Sequence, residues 1–502
     1  MTSILLSLAL LSAAPLLLWV PLLWRARRVV VPLLFVLEVG LAAVFIYTWP
    51  SLWSGVYALI GLYQLFNLAR IIRGRMHIDH MRRVVRFTAL WLSVPQALLC
   101  ALAVLTNATQ AWPTTANYVL TILQLLVALM LVASTSRHLR TTKTLQATKA
   151  YTDRELPSIS VLIPARNETD DLHECLQALI QSNYPKLEII VLDDCSQDKH
   201  TPEIIRGFAH DGVRFIAGEV PGDNWLAKNY AYEQLAEAAN GDYLVFCGVD
   251  LKVSVGALRE LITTMLEKNK TMLSILPQNV MPKDPRTYLV QPMRYAWELS
   301  LPRRLFNRPA VLSTCWIITR TTLAAAGSFK AASRSVTPES YFARFAARAD
   351  GYSFLRSNLL VSNKPVQQQR DTTIRMRYPQ LHRRPELVAL VAGVELICIA
   401  LPIVTAIVAF MAGLWVPGAI ALVSYVLLYV VFLQVTGVMY GRPVFSGFII
   451  APIAVALDVI WLHVSMARYE FGEVIWKERN VCLPVMRFDT PETKPVRAPS
   501  RG

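Results

Sequence analysis

Long apolar runs occupy both ends of the chain. Five lie towards the N-terminus, at about 3–23, 29–49, 52–69, 87–106 and 117–136, and each is close to the roughly 20 residues that a helix needs to cross a bilayer. Three more follow near the C-terminus, at about 388–411, 416–437 and 446–467. The pattern predicts an integral membrane protein with five transmembrane helices in 1–137 and about three transmembrane or interfacial helices in 386–467.

The charges between the N-terminal runs predict how the chain is oriented. The segment 25–28 after the first run carries three arginines, and the segment 70–86 after the third run carries six. The other two connections, near 49–54 and 107–116, carry no charge. Because loops rich in arginine and lysine stay on the cytoplasmic side, we expect a protein of the cell's inner membrane whose middle region lies in the cytoplasm.

The middle of the chain has the pattern of an α/β domain. A basic linker (138–156) leads to 157–385, where strand-like runs alternate with amphipathic stretches, and a polar tail (468–502) ends the chain. LEIIVLD is a strand-like run that ends at Asp193 and is followed directly by Asp194. YLVFC is another such run, and Asp250 follows it three residues later. Open α/β sheets bind ligands at the carboxyl ends of their strands, so these carboxylates are candidate ligand contacts. Alternatively, Asp193 and Asp194 are ordinary turn residues.

Composition narrows the class of protein. Of the 502 residues, 54% are apolar and only 17% are charged, which excludes a disordered chain and argues against a single soluble enzyme. The net charge of +15 suits basic loops that face anionic lipids. The sequence has no basic stripe with interleaved aromatic residues, so nucleic acid is not an expected partner. The seven scattered cysteines, never spaced as CxxC, predict neither a disulfide framework nor a zinc site.

Four motifs then follow one another in a specific order: IPARNE, VLDDCS, GDNWLAKNYA and GDYLVFCGVD. Together they resemble the GT-A domain of membrane-bound family 2 glycosyltransferases, whose members include enzymes that glycosylate ceramide and bacterial carotenoid- or hopanoid-type lipids. The segment EVIWKERNVCLP (473–484) resembles the common tail of those enzymes. The resemblance implies an α/β GT-A domain, a Rossmann-like nucleotide-diphospho-sugar transferase fold, in 157–385 between two α-helical transmembrane bundles.

The resemblance also implies roles for residues on the donor side of a site. Asp194 matches the aspartate that contacts the nucleotide base. Asp250 matches the last aspartate of the DxD motif, which holds a Mg²⁺ or Mn²⁺ ion on the diphosphate. Lys228 matches a lysine near the phosphates or the sugar, although a solvated helix lysine is the alternative. The remaining donor-side residues that the matching motifs imply are Pro164, Arg166, Glu168 and Asp193.

For the catalytic base, the resemblance points to Glu339. It stands where the family has the aspartate of an acidic xED motif, while Pro338 stands where the family has the preceding glutamate. Glutamate serves as a general base as aspartate does. The alternative is an ordinary glutamate in the first turn of a helix, favoured there by the helix dipole.

The family's (Q/R)xxRW motif is the least well preserved part of the pattern. Two segments are candidates, 367–371 and 380–384, and both lack the tryptophan. We expect the second to act, with Gln380, Arg383 and Arg384 on the side of the diphosphate and the acceptor. The alternative is a basic collar at the lipid headgroups. The first DxD carboxylate is also replaced, by Gly248.

These observations predict an inverting hexosyltransferase that moves a sugar from a nucleotide sugar, a UDP-sugar ahead of a GDP-sugar, to a membrane-lipid acceptor. The alternatives are a processive polysaccharide synthase and a catalytically inactive scaffold of a membrane glycan complex, since two acidic groups of the family pattern are replaced. Glu395 and Asp458 lie within apolar runs and are further functional candidates, because carboxylates inside a membrane are costly. The alternative is a carboxylate near a helix end or packed against a neighbouring helix.

Overall fold

The computed structural model describes scattered positions between 26 and 47, and then 114–142, 144, 149–222, 224–300, 308–362, 366–471, 474–477 and 479–481. The first, third and fourth predicted membrane runs lie outside the described residues, and the second is described at scattered positions only. The fifth run forms α1 (Thr114–Thr141), which is long and apolar enough to cross a membrane.

The middle of the chain folds as an α/β domain around one mixed sheet. Runs of β-branched and aliphatic residues give the strands, and buried positions continue along them without alternation, as in a sheet covered on both faces. The strands are β1 (Ile159–Ala165), β2 (Leu187–Asp193), β3 (Val213–Ala217), β4 (Tyr243–Cys247), β5 (Leu251–Val253), β6 (Met272–Asn279), β7 (Cys315–Thr319) and β8 (Tyr352–Ser362).

The order of strands across this sheet is β3-β2-β1-β4-β7-β6-β8-β5. β1 to β4 are parallel to one another, whereas β7 runs antiparallel to both β4 and β6. The sheet confirms the predicted α/β class. The helices of the domain are α2 (Asp170–Ile180), α3 (His200–Gly207), α4 (Ala227–Ala238), α5 (Ala257–Glu267), α6 (Gln291–Leu299), α7 (Arg320–Ala325) and α8 (Pro338–Arg348).

Two hydrophobic cores cover the two faces of the sheet. One packs α2 and α5 against the sheet through aliphatic side chains such as Leu176 and Ile262. The other is aromatic: Phe246 and Trp316 stack with ring centroids 4.1 Å apart, and Phe342 of α8 stacks on Trp316 at 5.9 Å. Because α4 and α8 are both anchored in the aromatic core, the core holds their N-terminal turns in place.

A second group of helices follows the domain. They are α9 (Val366–Gln380), α10 (Pro385–Val394), a π-helical segment (Glu395–Ala400), α11 (Pro402–Met411), α12 (Trp415–Tyr440) and α13 (Gly447–Phe471). The described residues contain three helices long and apolar enough to cross a membrane, and a fourth span if the pair around Leu401, bent by 51°, counts as one. A short hairpin, β9 (Ile475–Trp476) with β10 (Arg479–Asn480), ends the described chain.

The α/β domain and the apolar helices share one hydrophobic cluster. Leu276 of β6 and Tyr295 of α6 pack in the same cluster as Ala128 of α1 and Phe432 and Val435 of α12. The sheet therefore packs directly against helices that are long enough to cross a membrane.

Candidate active site

A cavity of about 330 Å³ lies at the carboxyl ends of β1, β2 and β4. These parallel strands end at the same edge of the sheet, which is where open α/β sheets bind ligands. α4, α9 and the C-terminal hairpin contribute the rest of the lining. The residues that line the cavity are Pro164, Ala165, Arg166, Glu168, Asp171, Asp194, Lys228, Tyr232, Cys247, Gly248, Val249, Asp250, Ser313, Thr314, Gln368, Asp371, Thr372, Arg375, Trp476 and Lys477.

Six of the seven donor-side residues predicted from the sequence line this cavity: Pro164, Arg166, Glu168, Asp194, Lys228 and Asp250. The seventh, Asp193, does not. Its Oδ1 accepts a hydrogen bond of 3.1 Å from the backbone N–H of Ser196, which closes the turn after β2. Asp193 is therefore an ordinary turn residue in this structure, whereas Asp194 borders the cavity.

Asp194 is buried, and its carboxylate is held by a residue from the far end of the chain. Arg479 of β10 donates from Nη1 to Asp194 Oδ1 at 2.6 Å and from Nη2 to the Asp194 carbonyl at 3.2 Å. Burial raises the pKa of Asp194, and the charges of Arg479 and Arg166 oppose that rise. The ion pair keeps the hairpin against the end of β2.

Arg166 and Lys477 form a second link between β1 and the hairpin. Arg166 donates from Nη1 to the Asp194 carbonyl at 2.7 Å and from Nε to the Lys477 carbonyl at 3.0 Å. Lys477 in turn pairs with Glu168 and donates to the Arg166 carbonyl at 2.6 Å. Burial raises the pKa of Glu168, against the charge of Lys477. Arg166 and Glu168 thus organise the cavity wall as well as bordering it.

Asp250 follows β4 and accepts a 3.2 Å hydrogen bond from the hydroxyl of Ser362. The replacement of the first DxD carboxylate has a local consequence: a Cβ on Gly248 would lie 2.8 Å from Asp250 Oδ1, so the carboxylate occupies space beside that glycine. Among the described residues, no group of three or more His, Cys, Asp or Glu side chains could hold a metal ion. A cation here would take one protein carboxylate and draw its other ligands from substrate and water.

Glu339 stands in the first turn of α8, directly after Pro338. The residue is only 1% exposed, and among the described residues its Oε2 has no hydrogen-bond partner. Burial raises the pKa of Glu339, while the charges of Lys228 and Arg308 lower it. Glu339 does not border the 330 Å³ cavity, but it lies within electrostatic reach of two residues that do, Lys228 and Arg375.

Asn229 fixes the segment that leads to Glu339. It is 1% exposed, and its side-chain Nδ2 lies 2.9, 3.0 and 2.8 Å from the carbonyl oxygens of Ala332, Ser333 and Ser335. The neighbouring residue in α4 is Lys228, which borders the cavity. α4 therefore presents a cation to the cavity and, through the next residue, sets the approach to the candidate base.

The segment preferred from the sequence for the diphosphate, 380–384, does not border the cavity. Gln380 is buried and its Nε2 lies 3.4 Å from Glu298 Oε1, Arg383 packs over the ring of Tyr469 at 5.3 Å, and Arg384 precedes α10. Instead, the cavity meets the start of α9, where Gln368, Asp371, Thr372 and Arg375 line it. Two of these belong to the other candidate segment, 367–371.

Arg375 and Trp476 meet across the cavity wall. The Arg375 guanidinium lies 4.9 Å from the centre of the Trp476 ring, a distance at which a cation and an aromatic face attract. Burial lowers the pKa of Arg375 to about 10, so the side chain remains charged at neutral pH.

Comparison with known proteins agrees with this geometry. A family model described as Glycosyl transferase family 2 matches residues 160–325, which contain β1 to β7 and α4. The middle of the chain is a family 2 glycosyltransferase domain. Glu339, Arg375 and the hairpin lie outside the matched residues, so the glycosyltransferase domain is completed by later parts of the chain.

The curated relatives are similar over a part of their length. The chain is 37% identical over 87 residues to "Glycosyltransferase AglE" of Haloferax volcanii, covering 16% of this chain and 28% of that protein. It is 34% identical over 128 residues to "4,4'-diaponeurosporenoate glycosyltransferase" of Staphylococcus haemolyticus, covering 25% and 33%. The chain thus spans about a third or less of the length of these relatives.

Among solved structures, the chain is similar to the mannosyltransferase PcManGT from Pyrobaculum calidifontis, solved in complex with GDP-Man and Mn²⁺. Sequence identity is 15%, the TM-score is 0.39, and the match covers 71% of this chain and 98% of that one.

Sequence reasoning missed four residues of the candidate site: Arg375, Trp476 and Lys477, which line the cavity, and Arg479, which pairs with Asp194. The last three lie in the segment 473–484, whose resemblance to the tail of related enzymes was a signal, but one that assigned no role to any residue. Arg375 lies between the two candidate segments for the diphosphate motif, so the sequence pattern placed it in neither segment and left a basic collar at the headgroups as the alternative for it.

Proposed function

We propose that the chain is an inverting glycosyltransferase that moves a sugar from a nucleotide-sugar donor to a membrane-lipid acceptor. One observation carries the proposal: the cavity of a family 2 glycosyltransferase domain brings Asp194, Asp250, Lys228 and Arg375 together, and the same domain packs directly on helices of membrane-spanning length. The domain would face the cytoplasm of a cell whose inner membrane holds the helices.

The donor would lie along the strand ends. Asp194 would accept from the nucleotide base, which a carboxylate oxygen is suited to do, and we expect uridine ahead of guanosine. Lys228 and Arg375 would face the diphosphate, whose negative charge requires cationic partners. The polysaccharide synthase and the inactive scaffold are the competing functions, and the experiment below separates them.

A divalent cation, Mg²⁺ or Mn²⁺, fits beside Asp250. The single carboxylate matches how Mg²⁺ is bound in phosphate sites, through one or two carboxylates together with substrate oxygens. When bound, the ion would neutralise the negative charge that develops on the leaving diphosphate. Asp250 would hold it, and Ser362 would orient that carboxylate through its hydroxyl.

Glu339 would act as the general base. It would take the proton of an acceptor hydroxyl while that oxygen forms a bond to the anomeric carbon, and the bond from this carbon to the diphosphate oxygen would break on the opposite side, which inverts the configuration. Burial raises the pKa of Glu339, which makes its carboxylate a stronger base than an exposed glutamate. Because the residue is 1% exposed, side chains between it and the cavity must move when substrates bind.

The test uses membranes that contain the protein, Mg²⁺ or Mn²⁺, and radiolabelled UDP- and GDP-sugars. Products are separated into an organic phase, water and an ethanol precipitate. Label in the organic phase that disappears in Glu339→Gln is the expected result and names the donor. Label in the precipitate would indicate a polysaccharide synthase, and no label in any product from correctly folded protein would favour the inactive scaffold.

A further inference from the structure

A second cavity, of about 250 Å³, lies among the apolar helices and shares no lining residue with the donor cavity. α1, α6, α10, α12 and α13 enclose it, and its lining is almost entirely hydrophobic. Val391, Val431, Val435 and Val455 line it and are buried. The cavity therefore lies within the bundle of apolar helices.

One side of this cavity opens towards the apolar surface of the bundle. Met130 of α1 and Leu390 of α10 also line it, and they are 41% and 61% exposed. Both residues lie on helices long and apolar enough for a membrane, Leu390 on the bent pair. Large apolar side chains at an opening of this kind indicate that it faces hydrocarbon and not water.

Two polar atoms interrupt the hydrophobic lining. Glu395 and Ser300 are 5% and 4% exposed, and among the described residues the Glu395 Oε2 and Ser300 Oγ atoms have no hydrogen-bond partner. The other Glu395 oxygen accepts from Arg377 Nη2 at 2.8 Å, and Arg377 also pairs with Asp458, so the carboxylate is held in place. Glu395 begins the π-helical segment, a local distortion frequent at functional sites.

We propose that this cavity binds the acceptor, a lipid whose alkyl chain fills the hydrophobic part and whose hydroxyl or amide N–H donates to Glu395 Oε2. The inference rests on the proposed function and names the class of acceptor. A buried polar atom without a partner is costly, and a ligand that donates a hydrogen bond would satisfy it. The described residues that line the cavity include no lysine or arginine that could hold a phosphate, so the cavity selects a neutral head group and not a lipid phosphate.

The cavity also lies one helix away from the candidate base. Ala296 and Trp297 of α6 line the cavity, whereas Glu298 of the same helix does not. Glu298 Oε1 pairs with Arg308 Nη2 at 3.0 Å, and Arg308 Nε donates to the hydroxyl of Ser340 at 3.1 Å, next to Glu339. A head group bonded to Glu395 would also lie close to Arg377 of α9, the helix whose Arg375 lines the donor cavity.

Photolabelling of the purified full-length chain in lipid nanodiscs tests the proposal. The probe is a long-chain alkyl alcohol with a diazirine and an alkyne on the chain, and the matched probe is the corresponding alkyl phosphate. We expect the alcohol to label peptides from α1, α6 and α12, and to do so at least several-fold more than the phosphate. Equal labelling, or a preference for the phosphate, would overturn the head-group assignment. Absence of specific labelling would overturn the proposal that the cavity binds a lipid. This result is expected if another segment of the chain fills the cavity.

Two substitutions on one helix provide a matched pair. Val431→Trp fills the cavity, whereas Val423→Trp makes the same change at a position that is 51% exposed on α12 and does not line the cavity. Labelling is expected to fall at least several-fold in Val431→Trp and to persist in Val423→Trp. Ala451→Leu, at a smaller lining residue, repeats the test if Val431→Trp does not fold, as judged by nucleotide-sugar binding and elution as a single species.

Transfer assays separate this proposal from the proposed function. The photolabelling needs neither donor nor turnover, so it decides whether the cavity holds a lipid even if the chain transfers no sugar. If wild-type protein transfers sugar to lipid and Val431→Trp does so equally well while labelling is lost, the acceptor role of the cavity is wrong and the glycosyltransferase function stands. Loss of transfer together with labelling, with nucleotide-sugar binding retained, is the expected result.

Discussion

The guanidinium of Arg479 lies 2.6 Å from the carboxylate of Asp194, a residue 285 positions earlier in the chain. This contact brings the C-terminal hairpin to the end of β2, where the donor base is proposed to bind. The pair is largely buried, with 20% of the arginine side chain and 7% of the aspartate side chain exposed. A donor that uses Asp194 must therefore bind beside Arg479, and the hairpin becomes a part of the donor site.

Replacement of Arg479 should weaken donor binding. Arg479→Ala leaves a buried carboxylate without its partner and releases the hairpin, and the loss of a hydrogen bond between charged groups costs about 1.5–3 kcal/mol. We expect the KM for the nucleotide sugar to rise by roughly tenfold or more, measured with membranes at fixed acceptor. Arg214→Ala is the control, because Arg214 pairs with Glu188 at the surface with 46% of its side chain exposed. A lower KM in Arg479→Ala would show that the hairpin competes with the donor.

Glu339→Gln should abolish most turnover and leave donor binding intact. The amide has nearly the same shape but accepts no proton, and general bases contribute about 10²- to 10⁴-fold to rate. Single-turnover transfer and nucleotide-sugar binding are the two measurements. Glu237→Gln, at an exposed position on α4, is the matched control. Turnover close to that of wild type in Glu339→Gln would remove this residue from the role of base.

The pH dependence of turnover should report the environment of Glu339. Because burial raises its pKa, the active carboxylate is lost as the pH falls through a value above the ordinary one for glutamate. The charge of Lys228 opposes that rise, so Lys228→Met should move the acidic limb of the kcat profile to higher pH. A limb that stays in place would mean that another group controls it.

The same group should contribute to stability with the opposite sign to an ordinary ion-paired carboxylate. The folded state binds the Glu339 proton more tightly than the unfolded state does, so its contribution to stability is present at low pH and is lost as the pH rises through the raised pKa. Unfolding temperatures of Glu339→Gln, which does not ionise, should therefore decline less over that range than those of the wild type.

Asn229→Ala should loosen the segment before the candidate base. The substitution removes the donors that contact three backbone carbonyls, and buried carbonyls without partners cost about 1–3 kcal/mol. We expect a lower unfolding temperature and a kcat reduced by roughly tenfold, at similar KM for the donor. Gln177→Ala, at an exposed position on α2, should change neither quantity. If Asn229→Ala lowers the unfolding temperature but leaves kcat unchanged, Asn229 has only a structural role.

The sheet and much of the donor side were predictable from local patterns. β1, β2 and β4 are short aliphatic runs that stop at polar turns, and the carboxylates after β2 and β4 had to fall at one edge once the strands were parallel. The prediction could not separate Asp193 from Asp194, because adjacent residues in a turn have the same sequence signature. The hydrogen bond from Ser196 to Asp193 and the pairing of Arg479 with Asp194 distinguish them.

The rest of the site depends on contacts that sequence patterns do not encode. Arg375 and Gln380 are five residues apart on α9, which turns them about 140° from each other around the helix, so only one can face the cavity. The position of 380–384 just before the returning apolar run favoured the end of the helix, and the packing of α9 against α13 brings the other face to the donor side. The hairpin meets β1 and β2 from roughly 300 residues away, and hydrophobic periodicity carries no information about such a contact.

Asp250→Asn tests whether one carboxylate suffices to hold the cation. An amide oxygen is neutral and a weaker ligand for a hard divalent ion, so the Mg²⁺ or Mn²⁺ concentration for half-maximal activity should rise by about tenfold or more. Asp171→Asn removes another carboxylate that lines the same cavity, on α2, and should leave that concentration unchanged. If both variants respond alike to the metal, the cation is held by the overall negative charge of the cavity and not by Asp250. Full activity of the wild type in a chelator would contradict the metal assignment itself, and would leave Lys228 and Arg375 as the charges that stabilise the leaving diphosphate.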